Sequence, residues 1–191
     1  MSTLILIKHA MPVVNPSEPA PTWPLSEEGR LAAGRLARRF KDYNLAAVYT
    51  SMEPKAADTG QIIAETLTLP CRVIPDLHEQ DMRNVGFIRQ DWQGRVRQFF
   101  EQPAAHVLGA ESANEALDRF KRAVNRVMQS HPPEQSLAIV AHGRVISLFT
   151  GYFNAHIDPF DLWQRLDLPA YVVLERPSYD LKAIIERLDP A

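Results

Sequence analysis

The chain has 191 residues, a formal net charge of -2, 46% hydrophobic and 23% charged residues, and a single cysteine, Cys71. This is the mixture of one soluble globular domain with a substantial core. The near-neutral balance gives no general attraction to nucleic acid or an anionic membrane, and one cysteine excludes an internal disulfide or a multi-cysteine metal site.

Thr3 to Ile7 is a short apolar, β-branched run and predicts a buried strand. Lys8 and His9 cut it off with no small-residue cleavage site behind, so neither a signal peptide nor a membrane span is expected; a cytoplasmic setting is. The stretch holding Pro12, Pro16, Pro19, Pro21 and Pro24 cannot be regular helix or central strand and predicts a stiff loop. Ser26-Glu27-Glu28 then opens a helix with a capping side chain and acids at the positive end of the dipole. Its apolar stripe is Ala32, Ala33, Leu36, Ala37 and Phe40.

Ala46 to Tyr49 predicts a second strand, Ala56 to Leu67 a second helix, and Arg72 to Ile74 a third strand ending at Pro75. From about 77 to 111 the pattern is least regular, with aromatics at Phe87, Trp92, Phe99 and Phe100. Ser112 and Glu115 form a capping box, and Ala116, Leu117, Phe120, Ala123, Val124, Val127 and Met128 keep helical spacing. Leu137 to Ala141 predicts a fourth strand, Val145 to Tyr152 a helix, and Tyr171 to Glu175 with Lys182 to Glu186 a terminal hairpin. Alternating strands and helices imply an α/β layered domain with a largely parallel sheet.

Ligands of open α/β sheets bind beyond the carboxyl ends of the strands. Those ends carry Lys8 and His9, then Ser51 and Lys55, then Glu79 a few residues past the third strand, and His142-Gly143-Arg144 after the fourth. Two histidines, a carboxyl group and several cations converging there suit phosphoryl transfer, which needs cations around the phosphoryl oxygens and an in-line nucleophile. Positive neighbours favour neutral, nucleophilic His9, and burial beside a phosphate would hold Glu79 protonated as an acid. Competing chemistries lack their residues. The sixth position after Cys71 is Leu77 rather than arginine; no glycine-rich phosphate loop or dinucleotide fingerprint occurs; and His78-Glu79 has no second histidine at zinc spacing. His106, His131 and His156 read as surface residues.

At these positions the sequence resembles the histidine phosphatase superfamily, the phosphoglycerate-mutase-like group. Leu6-Ile7-Lys8-His9-Ala10 resembles its first-strand motif ending in Arg-His-Gly, and Pro24 to Gly29 resembles its Pro-Leu-Thr-Glu-x-Gly helix start. Thr50 to Thr59 is similar to Ser-Ser-Pro-x-x-Arg-Ala-x-Gln-Thr, and Asp76-Leu77-His78-Glu79 to the leucine and glutamate before the variable region. Gly109 to Ser112 resembles its Gly-Glu-Ser helix entry, and Val140-Ala141-His142-Gly143 its Val-Ser-His-Gly.

The resemblance implies a three-layer sandwich filling residues 1–191 as one domain, with a variable, substrate-covering region at about 77–111. It makes His9 the phosphorylated nucleophile, His142 a ligand of the phosphoryl oxygens and Glu79 the general acid. Lys8 and Lys55 take the positions of the two clamping arginines, and Asn15 that of a phosphate-contacting asparagine. Arg144 is a further candidate for the grip that lysine, lacking arginine's planar fork, gives up. Ala10, where glycine is usual, would crowd the phosphate. No metal or organic cofactor is implied. The expected partner is a phosphorylated small molecule or phosphoprotein, hydrolysed through phospho-His9. The alternatives are a catalytically weak or inactive domain that binds a phosphorylated ligand and, less favoured because only about thirty residues separate Glu79 from Ser112, a phosphoglycerate mutase.

Overall fold

A computed structural model describes residues 2–83, 85–88 and 90–188. Its elements are β1 (Thr3–Lys8), α1 (Glu27–Arg39), β2 (Leu45–Thr50), α2 (Pro54–Leu67), β3 (Cys71–Val73), α3 (Trp92–Glu101), α4 (Ala113–Gln129), β4 (Ser136–Ala141), α5 (Gly143–Phe153), α6 (Pro159–Arg165), β5 (Ala170–Glu175) and β6 (Leu181–Ile185). They build one six-stranded sheet in the order β3-β2-β4-β1-β5-β6. The β3, β2, β4 and β1 neighbours pair in parallel, and β5 and β6 close the far edge as an antiparallel hairpin.

Side chains alternate across a strand, so a central strand buried on both faces reads as a continuous apolar run. Leu4 and Leu6 of β1 pack with Phe120, Val124 and Phe149 of α4 and α5. Ile5 and Ile7 pack on the other face with Leu36, Ala37 and Ile63 of α1 and α2. Three layers follow: helices, sheet, helices. The Ser26 hydroxyl caps α1 by accepting from the Gly29 N–H, and the Ser112–Glu115 capping box of α4 is complete. No helix among the described residues is long and apolar enough to cross a membrane.

Two helices were not legible in the sequence. α3 lies inside the segment read as irregular; only Val96 and Phe99 are buried along it, and its N-cap Asp91 makes no side-chain cap bond. α6 has seven residues, too few for a periodic pattern, and starts behind the Asp158 side chain, which accepts from the Asp161 N–H. His131, expected at the surface, is half-buried and bonded to the Tyr49 hydroxyl (2.7 Å) and to Gln135 (2.8 Å).

Candidate active site

Register builds the site. Parallel pairing sets Lys8 beside Ala141 and Thr50 beside Val140. The residues one step past β1, β2 and β4 (His9, Ser51 and His142) therefore leave the sheet together. The His9 N–H donates to the Ala141 carbonyl and the Ser51 N–H to that of Val140, so the ladder still holds both where the strands end. β4 is inserted between β1 and β2, a switch point of the kind that opens a crevice in such sheets.

The two imidazoles meet edge to face with ring centroids 5.2 Å apart. Nδ1 of His9 lies 2.8 Å from the Ala10 carbonyl oxygen. A carbonyl only accepts, so this nitrogen carries the proton and Nε2 keeps its lone pair. Burial, reinforced by His142, pushes the His9 pKa well below the ordinary histidine value; the Ala10 bond opposes this, and Lys55 and Lys8 add to it. His142 is likewise held neutral, first by burial, which prevails over the opposing field of Glu79; Lys55 and Arg144 add to the lowering. Its Nε2 faces the Ser51 hydroxyl at 2.9 Å and Glu53 Oε1 at 3.3 Å, while its buried Nδ1 has no partner.

Glu79 sits at the N-terminus of α5. Its Oε2 accepts from the Arg144 N–H (3.1 Å) and its Oε1 from those of Val145 (3.2 Å) and Gln80 (3.1 Å). A helix N-terminus favours negative charge. Burial alone would raise the Glu79 pKa, but Arg144, His142 and the Arg144 N–H outweigh it and hold the carboxyl below its usual range. Burial by itself therefore does not hold Glu79 protonated; its carboxyl is ionised. Arg119 fixes the turn that presents it: the guanidinium donates to the carbonyls of Asp76, His78 and Glu79 and is held by Glu111.

Lys8 and Lys55 both reach the site, and both have acceptors within the protein. Lys8 Nζ donates to the Leu166 carbonyl at 2.6 Å, and burial lowers its pKa against the pull of Glu79 and Asp167. Lys55 Nζ binds the Ala20 carbonyl (2.7 Å) and Glu53 Oε2 (2.5 Å). Arg144 is buried, stands 5.3 Å over the Trp92 ring and 3.8 Å from Glu79, and its Nε has no hydrogen-bond partner. Gly143 permits this crowding, since a Cβ there would lie 3.0 Å from Trp163 and 3.3 Å from the Lys8 stem.

Two expectations are corrected. Asn15 is exposed, its side-chain oxygen accepts from the Ser17 N–H, and it is not among the residues lining the cavity. The Ala10 methyl crowds nothing at the site: it is buried with Leu25, Ala32 and Ala33, while its N–H donates to Thr59 Oγ1.

Glu53 was missed. This buried carboxylate joins Lys55, His142 and the Glu79 N–H, which donates to Oε1 at 2.9 Å. The strand-end rule that selects Lys55 covers Glu53 as well, two residues earlier, but an acid is not what an anion site calls for.

These groups form the floor of a cavity of ≈ 820 Å³ whose walls come from the proline-rich loop and from the segment leading into α3. From the variable region at about 77–111, Arg83, Phe87 and Trp92 line it.

Comparisons with known proteins give the family and the fold. The family model described as the histidine phosphatase superfamily (branch 1) matches residues 4–182. A probable phosphoglycerate mutase GpmB of Cronobacter sakazakii is 27% identical over 129 residues, covering 64% of this chain and 60% of that protein's length. A mycobacterial glucosyl-3-phosphoglycerate phosphatase complexed with VO3 superposes with a TM-score of 0.79 at 19% identity, covering 97% of this chain and 99% of that one. YhfR of Bacillus stearothermophilus gives a TM-score of 0.76 at 23% identity over 97% and 96% of the two chains. A phosphoserine phosphatase mutant from Entamoeba histolytica, in complex with phosphoserine, gives 0.77 at 16% identity over 97% of each.

Proposed function

The chain belongs to the histidine phosphatase superfamily (branch 1), and from that premise we propose that it is a cytoplasmic, metal-independent phosphatase that hydrolyses phosphate monoesters through a phosphohistidine on His9. The observation that carries the reading is His9 itself: neutral, with Nδ1 tied to Ala10 and Nε2 free, against His142 on the floor of a cavity that also holds Lys8, Lys55 and Arg144.

In this reading Nε2 attacks phosphorus while the ester P–O bond breaks. Lys8, Lys55, His142 and the unpartnered Arg144 Nε surround the phosphoryl oxygens, giving charge stabilisation where it develops. The leaving oxygen needs a proton. A phosphate dianion arriving beside Glu79 raises that carboxyl's pKa and loads it as the acid. Water then attacks the phosphohistidine, returns a proton to the carboxylate and releases phosphate as the P–N bond breaks. The cavity's size is that of small-molecule sites, which favours a metabolite over a phosphoprotein.

A second reading has an observation of its own. Glu53 already neutralises Lys55, and no arginine stands at Lys8 or Lys55. A domain that binds a phosphorylated ligand without turning it over fits these facts. A phosphoglycerate mutase is the weakest alternative. Incubation with p-nitrophenyl phosphate, repeated with His9→Ala, decides the first two: turnover abolished by the substitution supports the phosphatase, and equal turnover removes it. Efficient exchange between phosphoglycerate isomers would identify a mutase instead.

A further inference from the structure

Resting on the phosphatase reading, we propose that the ester's alcohol is a bulky, uncharged, apolar group, aryl or long alkyl, seated between two aromatic pairs above the phosphate. The cavity separates its chemistry along its depth. At the floor are seven ionisable chains: Lys8, Lys55, Arg144, Glu53, Glu79 and the two histidines, His9 and His142. Towards the mouth the walls are apolar. Trp23 and Phe87 meet with ring centroids 6.3 Å apart, and Trp92 and Trp163 with centroids 6.5 Å apart. Val14 and Phe87, also cavity-lining, are 52% and 47% exposed. Large apolar side chains held open to water beside a nucleophile mark a surface that gains by being covered.

The polar groups that the described walls offer narrow the class. Pro12, Pro16, Pro19 and Pro21 have no N–H to donate, and the polar side chains the same loop brings to the lining are Ser17 and Glu18. The Trp23 indole N–H donates to the Asn15 and Glu18 carbonyls of its own loop, leaving the ring as the contact it offers. Among the described residues the outer lining carries two charges. Arg83 is already held by Asp81 and Glu18 is an acid, so neither favours a carboxylate or a second phosphate on the alcohol. The site therefore takes one anionic end and one apolar end.

Non-hydrolysable phosphonates test this without relying on turnover. Calorimetry on the full chain should show 2-naphthylmethylphosphonate binding at least about tenfold more tightly than methylphosphonate, given the extra apolar area covered. In the Trp23→Ala/Phe87→Ala double variant that ratio should fall below about threefold. Phe87→Ser alone, at a half-exposed position, should lower the ratio in the same direction and guards against a poorly folded double variant. Equal affinity for the two phosphonates in the unaltered protein, or tighter binding of phosphonoacetate, overturns the proposal. If either result accompanies His9-dependent hydrolysis of p-nitrophenyl phosphate, only the substrate class is lost. If no phosphonate binds and no ester turns over, the phosphatase reading falls with it.

Discussion

The floor of the cavity and its rim are built by opposite means. On the floor, every reactive side chain lies within a few residues of a strand end or a helix start, and most are fixed twice. His9 is held by a ladder bond and by its ring nitrogen; Glu79 is held by three backbone N–H groups. The rim is tied down differently: the Trp23 indole N–H bonds carbonyls of its own loop, and Lys55 reaches the Ala20 carbonyl. Prolines of one loop, Phe87 of another and the helix-borne Trp92 and Trp163 make it, and its ion pair, Arg83 with Asp81, is local. The floor's side chains thus sit where strand ends and helix starts fix them, whereas the rim joins a proline loop to aromatics packed on the small cluster of Val96, Leu108 and Phe160.

Changes to the floor should therefore have the larger effects. Glu79→Gln is expected to lower kcat by about 10²–10³-fold on an alkyl phosphate, whose leaving oxygen needs a proton, and far less on p-nitrophenyl phosphate. Equal losses on both esters would assign the proton elsewhere, with Glu53 the next candidate.

Acid should weaken the fold through the same floor. His9 and His142 are kept neutral when folded, with pKa values well below ordinary histidine, but take up protons near pH 6.5 once unfolded. The unfolded chain then binds more protons, so stability falls as pH drops below that value, by about 1 kcal/mol per pH unit for each histidine. Glu79, also depressed, extends the loss to lower pH, since its contribution is present above its unfolded value and disappears as the pH falls through the folded one. Urea midpoints at pH 7 and pH 5.5 read this out, and a flat profile would contradict the neutral pair.

Glu53→Gln separates binding from catalysis on the same floor. Removing a charge that contacts Lys55 and lies 3.3 Å from His142 should tighten inorganic phosphate by about tenfold, measured as competitive inhibition or by calorimetry. Weaker binding would mean that Glu53 holds Lys55 in place more than it repels the anion. Smallest is Lys8→Arg, expected to raise phosphate affinity a few-fold by supplying a planar fork. A loss there would show the pocket shaped around lysine, whose Nζ is fastened to the Leu166 carbonyl.

What the sequence made legible follows this division. Lys8, His9, Lys55, Glu79, His142 and Arg144 could all be placed because each stands at a strand end or just beyond it, and all line the cavity. Asn15 stands in a proline-rich loop, where no period fixes the direction of a side chain, and its oxygen closes a local turn on Ser17. Glu53 escaped notice because its charge makes sense only once Lys55 and His142 are seen on either side of it.

By itself the chain determined its strands, its principal helices and which ionisable residues follow the strand ends, because apolar period, capping side chains and proline positions act over a few neighbouring residues. Only the tertiary structure decided the ionisation of that set, the pairing of Lys55 with Glu53, the burial of the Ala10 methyl and the aromatic walls of the rim. Those outcomes depend on distances between residues far apart in the chain and on how much water the fold removes between them, and neither quantity is local.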